Sequence, residues 1–382
     1  MKLRYLFYLL LICFSCNRSR SPSDFDTIQV DLTNPQRASL FDYFKHIELI
    51  PLETNDDVVI GFLNKIIYHQ NKYYILDRHR GNNVILVFCD TGKFQYNIGS
   101  QGSGPGEYIL LYDMIINPFS GNLDLLCPIG FIHSYDLQGN HVRSSDRITN
   151  AYLRAIHNLV AVNENTYVFK SAFNHPYQLL FYYDFYEKKI IHQEYEENSF
   201  LRGFSFFCPF YEHLGQWYFY REFDNTTYKL GSYSLIKAFT WDFGRFNYDA
   251  NKMEFPVFQN LSSREEYNKR AEFLNQLPYR ILVQGQNNRY IMAQIMLSGG
   301  KLGNLIFDKS TQRAKFIEHF TESVDFRPLV ITNEYVLSFS NHEDLENFIT
   351  AEMLDETNRQ IFEALMNAAE EQNPVIIKYY FK

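Results

Sequence analysis

The sequence contains few cysteines, and it has no long apolar run beyond its first twenty residues. Only Cys89, Cys127 and Cys208 follow residue 16. They are odd in number and their spacing does not suit a structural zinc site, so we expect buried free thiols. No later stretch is long enough to cross a bilayer. The sequence contains no Gly-x-Ser-x-Gly pattern and no arrangement of serine, histidine and aspartate that would indicate nucleophilic catalysis. We therefore assign no catalytic residue.

The first sixteen residues have the layout of a bacterial lipoprotein signal. Lys2 and Arg4 precede an apolar run over residues 5–14 that is too short for a permanent transmembrane helix. A small residue, Ser15, directly precedes Cys16, and signal peptidase for lipoproteins requires this order. The pattern therefore predicts export followed by lipid attachment at this cysteine.

These features set the expected boundaries at the amino terminus. We predict a signal peptide over residues 1–15 and a lipid-anchored linker over residues 16–26. Cys13 stands where leucine is usual, which leaves conventional secretion as an alternative. The residues just after Cys16 lack the acidic cluster that resembles a surface-export signal. We therefore expect an outer-membrane lipoprotein that faces the periplasm rather than the cell surface.

The charge balance excludes some classes of partner. Without Lys2 and Arg4, the chain carries 34 basic and 44 acidic residues, a net charge of −10. Nucleic acid and anionic lipid headgroups, which require a basic surface, are therefore not expected partners.

A repeat organises the rest of the chain. Six segments share one pattern: a polar turn pair, one variable residue, a position that is usually Tyr, and two apolar residues. Successive segments lie 43 to 51 residues apart, except for one interval of 72. This period is typical of four-stranded blades. The sequence therefore predicts an all-β fold, a six-bladed β-propeller over residues 27–382. The segments are 71–77, 121–127, 164–170, 215–221, 287–293 and 332–338.

Two insertions and a missing strand complete the predicted fold. Residues 245–277 and 342–371 have helical spacing or charged helical runs, so we expect two helical insertions. The chain ends in a plain strand over residues 373–382, which leaves blade six one strand short. Residues 27–32 or 44–50 alternate like strands, and either segment can supply it. Strands from both chain ends would then close the ring without an open sheet edge.

Four segments resemble a known family. They are IELIPLET at 47–54, the apolar run that ends in Asp77, VFCDTGKF at 87–94 and IGSQGSGPGEY at 98–108. They are similar to the six-bladed β-propeller lipoproteins abundant in Bacteroidetes, whose pattern is distantly like that of NHL repeats. The glycine-rich segment resembles the loop that joins the outer strand of one blade to the inner strand of the next. The resemblance implies a fold and an envelope location, and it transfers no catalytic residue.

A candidate ligand-binding face follows from the propeller geometry. The loops between the second and third strands of all blades lie on one face around the central channel, so distant residues become neighbours. The resulting face is locally basic and could receive carboxylates, sulfates or uronic acids through arginine fork geometry. The alternative is a set of solvated loop residues with scattered salt bridges. The predicted face comprises Asp77, Arg78, His79, Arg80, Lys170, His175, Arg221 and Glu222.

Histidines and aromatic residues offer two further possibilities. His79, His175 and His342 could meet as ligands of a divalent ion, but the other histidines stand in ordinary strand or turn contexts. We therefore predict no metal and no cofactor. Aromatic side chains could stack on sugar rings, although packing is the better interpretation for Trp217 and loop anchoring for Tyr108. The candidates are Tyr108, Tyr112, Tyr177 and Trp217.

Two functional hypotheses remain open. The first is a non-enzymatic binding scaffold in the envelope, held by lipid and presenting its loops to an envelope protein or a glycan. The second is a propeller enzyme, a lyase or hydrolase acting on a saccharide or lactone at the channel mouth. Fold alone does not choose between them, because propellers carry unrelated functions. The oligomeric state is also open.

Overall fold

The structure is a computed structural model that describes most of the chain. The predicted signal peptide, the linker with Cys16, Arg80 and His175 lie outside the described residues, as does the side chain of His79. The described residues are 27–56, 58–79, 82–128, 131–146, 156–171, 178–196, 201, 208–254, 264–368 and 371–382.

Within these residues, twenty-five strands form six sheets arranged as blades. Strands β1 (Thr27–Gln29) and β2 (Phe44–Pro51) come first and join blades that later parts of the chain build. Blade 1 contains β3 (Leu63–His69), β4 (Lys72–His79), β5 (Asn82–Cys89) and β6 (Phe94–Ile98). Blade 2 contains β7 (Asp113–Ile116), β8 (Leu123–Leu126), β9 (Ile132–Tyr135) and β10 (His141–Ser144). Blade 3 contains β11 (Ile156–Ala161), β12 (Thr166–Ser171), β13 (Gln178–Asp184) and β14 (Lys189–Glu196).

The second half of the chain repeats the pattern with two insertions. Helices α1 (Arg264–Asn275) and α2 (Glu356–Met366) lie inside them. Blade 4 contains β15 (Phe210–His213), β16 (Gln216–Arg221), β17 (Asp224–Leu230) and β18 (Leu235–Asp242). Blade 5 contains β19 (Tyr279–Gln286), β20 (Tyr290–Leu297), β21 (Leu302–Asp308) and β22 (Arg313–Ile317). Blade 6 contains β23 (Val330–Ile331), β24 (Tyr335–Ser340), β25 (Val375–Phe381) and β2.

The predicted six-bladed propeller with two helical insertions is confirmed. Each repeated segment of the sequence overlaps the second strand of a blade, from β4 in blade 1 to β24 in blade 6. The second strand repeats most clearly because it is covered on both faces by neighbouring blades. β12, for example, is buried along its whole length. The first strands of neighbouring blades contact one another around the central axis, as β3 does with β7.

Blade 2 carries Asp124 where the other blades carry tyrosine. This carboxylate is fully buried and accepts a hydrogen bond from the Asn117 side-chain amide at 2.9 Å. It also accepts hydrogen bonds from the Ser134 hydroxyl and from the hydroxyl of Tyr167, the equivalent residue of blade 3. Asp124 therefore forms a polar link between blades 2 and 3.

The glycine-rich segment forms the connection from β6 to β7. Tyr108 anchors this connection, because its ring is buried and its hydroxyl donates to the Ile98 carbonyl at 3.3 Å. The Glu107 carboxylate accepts from the Gly104 amide at 2.7 Å. Gly106 has a φ of 78°, in the left-handed region that favours glycine. A tight turn therefore accounts for the glycine at position 106.

The ring is closed by β2, which resolves the choice that the sequence left open. β2 pairs antiparallel with β25 and forms the outer strand of blade 6, with Glu48 opposite Lys378. β1 does not enter blade 6. It pairs in parallel with β18 as a fifth strand of blade 4. The predicted closure by both chain ends is confirmed, with residues 44–50 in the closing role.

Two buried asparagines hold the closing strand and the connection that follows it in place. Asn373 accepts from the Ile60 amide at 2.7 Å and donates to the carbonyls of Glu53 and Val58. Asn358, on α2, accepts from the Leu49 amide of β2 at 2.8 Å. The helical insertion of blade 6 is thereby attached to the closing strand.

The sequence predicts three buried free thiols, and the structure agrees with this prediction in part. Cys127 is buried, whereas Cys89 and Cys208 are only half-buried, and all three are free. No helix in the described part of the chain is long and apolar enough to cross a membrane.

We expect Asn373→Ala to lower the free energy of unfolding by about 2–4 kcal/mol, because the buried backbone groups of Val58 and Ile60 lose their partner, as does the carbonyl of Glu53. Denaturant titration would measure the change. Asn140→Ala is the matched control, because the Asn140 amide bonds only Asp136 in an exposed turn. A loss no larger than that of the control would show that Asn373 does not hold the closure.

Candidate functional site

The propeller has two faces that differ in the segments they carry. The face that holds the links between consecutive blades and the loops between second and third strands is called the connection face. The opposite face, which holds the hairpin turns between first and second strands and between third and fourth strands, is called the turn face. This assignment follows from the strand order of each sheet, with the first strand innermost.

Three residues of the predicted ligand face have structural roles instead. The Asp77 carboxylate accepts from the backbone amides of Gly61 and Phe62 at 3.1 and 2.7 Å, which fixes the connection that enters blade 1. Arg221 is completely buried. Glu222 is buried and lies 3.3 Å from the Arg280 guanidinium, which joins blade 4 to blade 5. These three side chains are therefore enclosed by the protein, at 6%, 0% and 5% exposure.

The structure brings Arg78 and Lys170 together around His157, a residue that the sequence did not single out. The Arg78 guanidinium lies 5.8 Å from the centre of the Tyr112 ring, in a cation–π arrangement. The same ring stacks on His157, with centroids 5.2 Å apart and planes 21° from parallel. Arg78 comes from blade 1, Tyr112 from the connection into blade 2, and His157 from blade 3. We call these three residues the Arg78 site.

The environment of His157 keeps its imidazole neutral. Burial, with the positive charges of Lys170 and Arg78, lowers the pKa of His157 to about 4. At neutral pH the Arg78 site therefore carries positive charge from the arginine and none from the histidine. Lys170 is only 1% exposed, so it contributes electric field rather than direct contact with a ligand.

An ion pair near the central axis joins the three blades. The Lys65 ammonium of β3 lies 2.6 Å from the Asp113 carboxylate of β7. The same carboxylate accepts from the Leu159 amide of β11 at 3.1 Å. Because these contacts connect the first strands of blades 1, 2 and 3, they fix the relative position of the residues in the Arg78 site.

Exposed apolar residues belong to the segments that adjoin the Arg78 site. Phe62 accepts, through its carbonyl, from the Arg78 amide at 3.0 Å, and its side chain is 57% exposed. Ile109 is 70% exposed and lies in the connection from blade 1 to blade 2. In the same connection, the Leu111 amide donates to the Asn83 side chain, and Asn83 is opposite Arg78 in blade 1. A cation beside an aromatic ring and an apolar border suits an acidic ligand that also carries an apolar surface.

The histidine and aromatic hypotheses have mixed outcomes. His342 is buried, and its Nδ1 accepts from the Gln372 amide at 3.3 Å. No three His, Cys, Asp or Glu residues of the described chain lie where they could share a metal ion. Trp217 packs in the apolar cluster between blades 3 and 4, and Tyr177 lies outside the described residues. Tyr112 is the aromatic candidate that reaches the site.

Comparisons with known proteins agree with the fold. A protein-family model described as Domain of unknown function (DUF4934) matches residues 25–380. No curated protein matches the sequence. A solved structure from Bacteroides fragilis NCTC 9343, described as an exported protein, is 16% identical, with a TM-score of 0.66 over 94% of this chain and 99% of that one.

Other solved structures are more distant. The extracellular domain of a hybrid two-component system from B. thetaiotaomicron is 13% identical, with a TM-score of 0.39 over 76% of this chain and 39% of that one. A β-propeller domain from Myceliophteria thermophila is 10% identical, with a TM-score of 0.37 over 73% of this chain and 94% of that one. The B. fragilis protein shares the fold, whereas these two likenesses support no argument.

We expect acid to destabilise the protein through His157. Its pKa is lower when folded than when unfolded, so below about pH 6.5 the unfolded chain takes up a proton that the folded protein does not. Stability is then lost as the pH falls from about 6.5 toward 4. His157→Gln should reduce the loss of unfolding free energy between pH 7.5 and 5.0 by about 1.5 kcal/mol, a figure reduced for partial exposure.

Denaturant titrations at the two pH values provide the measurement. His319→Gln, at an exposed position, is the control for the His-to-Gln substitution itself. His213, whose pKa is also lowered to about 4 by burial and by Lys309, contributes equally in all three proteins. Equal acid losses in the native protein and His157→Gln would contradict a neutral His157.

Proposed function

Since the chain belongs to the family described as Domain of unknown function (DUF4934), whose description gives no activity, we propose a binding role. The protein acts as a non-enzymatic scaffold in the bacterial envelope, and its partner is an envelope protein or a glycan. It is an outer-membrane lipoprotein held through lipid at Cys16 and facing the periplasm. The exported B. fragilis protein of similar fold and the signal over residues 1–15 support this location.

The Arg78 site is the observation that carries the proposal. Its arginine, tyrosine and histidine come from three blades, so the closed ring fixes their separation before any ligand arrives. Preorganised groups lose little conformational entropy on binding. The propeller therefore supplies rigidity, and the connection face supplies the chemistry.

An acidic ligand fits the charge and shape of the site. Arg78 can present two parallel N–H groups to a carboxylate, and Lys170 adds positive field from below. Tyr112 provides a flat ring next to the guanidinium, suited to the face of a sugar or to an apolar side chain. A uronic acid within a glycan, or an acidic side chain of a protein, meets both requirements.

His157 also bears on the enzyme hypothesis. A neutral imidazole beside a carboxylate-binding arginine is the arrangement that a lyase acting on uronic acids would use for proton abstraction. A general base is most effective when its pKa lies near the working pH. A pKa of about 4 makes His157 a weak base at neutral pH, which supports a binding role.

We expect Arg78→Ala to weaken binding of an acidic probe at least tenfold, because a charge-assisted pair of hydrogen bonds is worth about 1.5–3 kcal/mol. Trigalacturonate serves as the glycan probe and a hexaglutamate peptide as the protein probe, with uncharged maltotriose as the reference. Isothermal titration calorimetry measures the affinities. Arg313→Ala, which removes an exposed arginine of blade 5, should leave them unchanged.

The same titrations can contradict the proposal. If neither acidic probe binds, the site does not select acidic ligands. If both bind equally to the native protein and to Arg78→Ala, binding occurs elsewhere. Release of an unsaturated sugar from trigalacturonate by the native protein, abolished in His157→Gln, would favour the lyase hypothesis instead.

A further inference from the structure

The turn face carries isolated apolar side chains on one half of the ring. Large hydrophobic residues project from the turns of blades 2, 3 and 4, where between 48% and 80% of each is exposed. Two belong to turns between first and second strands, and two to turns between third and fourth strands. The four residues are Phe119, Tyr186, Leu214 and Tyr233.

The other half of the turn face differs. Among the described residues, the corresponding turns of blades 5, 6 and 1 have polar tips and expose no large hydrophobic side chain. On the connection face, Val59, Phe62 and Ile109 are exposed near blades 6, 1 and 2, away from blade 4. The asymmetry therefore distinguishes one sector of one face. The polar turns are at 70–71, 90–92, 288–289, 309–312 and 332–334.

The direction of β1 relates this sector to the amino terminus. β18 runs from the turn at Tyr233 toward the connection face, and β1 is parallel to it, with Thr27 opposite Thr240. Thr27 is therefore the end of β1 that lies nearer the turn face. It lies at the rim of blade 4, the blade that carries Leu214 and Tyr233.

We propose that the turn face of blades 2, 3 and 4 lies against the lipid bilayer. This inference rests on the proposed lipid anchor at Cys16. The eleven residues from Cys16 to Asp26 span at most about 40 Å when extended, so the anchor keeps blade 4 within reach of the membrane. The Arg78 site, on the connection face, then points away from the bilayer and toward its partner.

The chemistry of the four side chains fits a bilayer surface better than a protein partner. Tyrosine and phenylalanine favour the headgroup boundary, where the ring is buried and a tyrosine hydroxyl stays hydrated. The four tips come from separate turns in three blades rather than from one continuous patch. A deformable, planar interface accommodates such tips individually. The net acidity of the chain means that apolar insertion, and not attraction to anionic lipids, supplies the contact.

Hydrogen–deuterium exchange on the full-length lipidated protein tests the orientation. The protein is reconstituted in vesicles of phosphatidylethanolamine and phosphatidylglycerol, and the Cys16→Ser protein without vesicles is the reference. We expect exchange at least fivefold slower at 117–122, 185–188, 213–216 and 231–234. The polar turns of blades 5, 6 and 1 and the loops at 60–62 and 106–110 should exchange at unchanged rates.

A matched pair of variants identifies the cause. Leu214→Glu with Tyr233→Glu should remove the slowing at their turns, while Phe62→Glu with Ile109→Glu, equally exposed on the connection face, should not. Far-ultraviolet circular dichroism checks that both remain folded. Loss of slowing in both pairs, or in neither, would overturn the proposed contact.

Flotation of the vesicles separates this inference from the proposed function. If the protein floats and the turns of blades 2, 3 and 4 are slowed, the orientation is supported. If it floats and those turns are unaffected, or the connection face is slowed, the orientation is wrong and the anchor stands. If it floats no better than Cys16→Ser, the anchor is wrong and the orientation falls with it.

Discussion

Pairing between β2 and β25 is the interaction on which the rest of the structure depends. The two strands come from opposite ends of the described chain, and their ladder converts a row of blades into a ring. β2 also contributes to both interfaces of blade 6. Ile47 and Leu49 belong to the apolar cluster shared with blade 5, whereas Ile50, with Leu52 just after the strand, belongs to the cluster shared with blade 1. Loss of the strand would therefore open both interfaces.

Buried polar contacts reinforce this closure. Lys378 of β25 projects toward blade 1, where its ammonium lies 3.9 Å from the centre of the Tyr68 ring. Burial lowers the pKa of this lysine, while the Glu48, Asp90 and Glu334 carboxylates oppose the shift. A buried cation costs less free energy when aromatic faces surround it. The charge thus joins blade 6 to blade 1 at the closing point.

The fold could be predicted further than the site. The second strand of every blade is covered on both sides, so its apolar pattern is strict and its period shows in the sequence. The closing strand could not be chosen, because residues 27–32 and 44–50 both alternate and only their partners distinguish them. Residues 27–29 form the outermost strand of blade 4, whereas residues 44–51 complete blade 6.

The different surroundings of Asp77 and Arg78, both in the predicted ligand face, could not be predicted for a related reason. Successive residues in a strand point to opposite faces, so Asp77 turns toward blade 6 while Arg78 turns toward blade 2. A list of charges at strand ends does not contain this information. His157 was missed because a histidine within an alternating strand gives no signal until Tyr112 and Arg78 are placed beside it. Only the folded ring brings the three blades together.

The most direct test of the account is equilibrium denaturation of two shortened chains. One begins at residue 32 and lacks β1, and the other begins at residue 52 and lacks β2 as well. We predict that the first retains a single cooperative unfolding transition and that the second has none, with exchange protection lost in all six blades. A cooperative transition in the chain that begins at residue 52, with blades 1 to 5 still protected, would contradict the central role of the β2–β25 pairing.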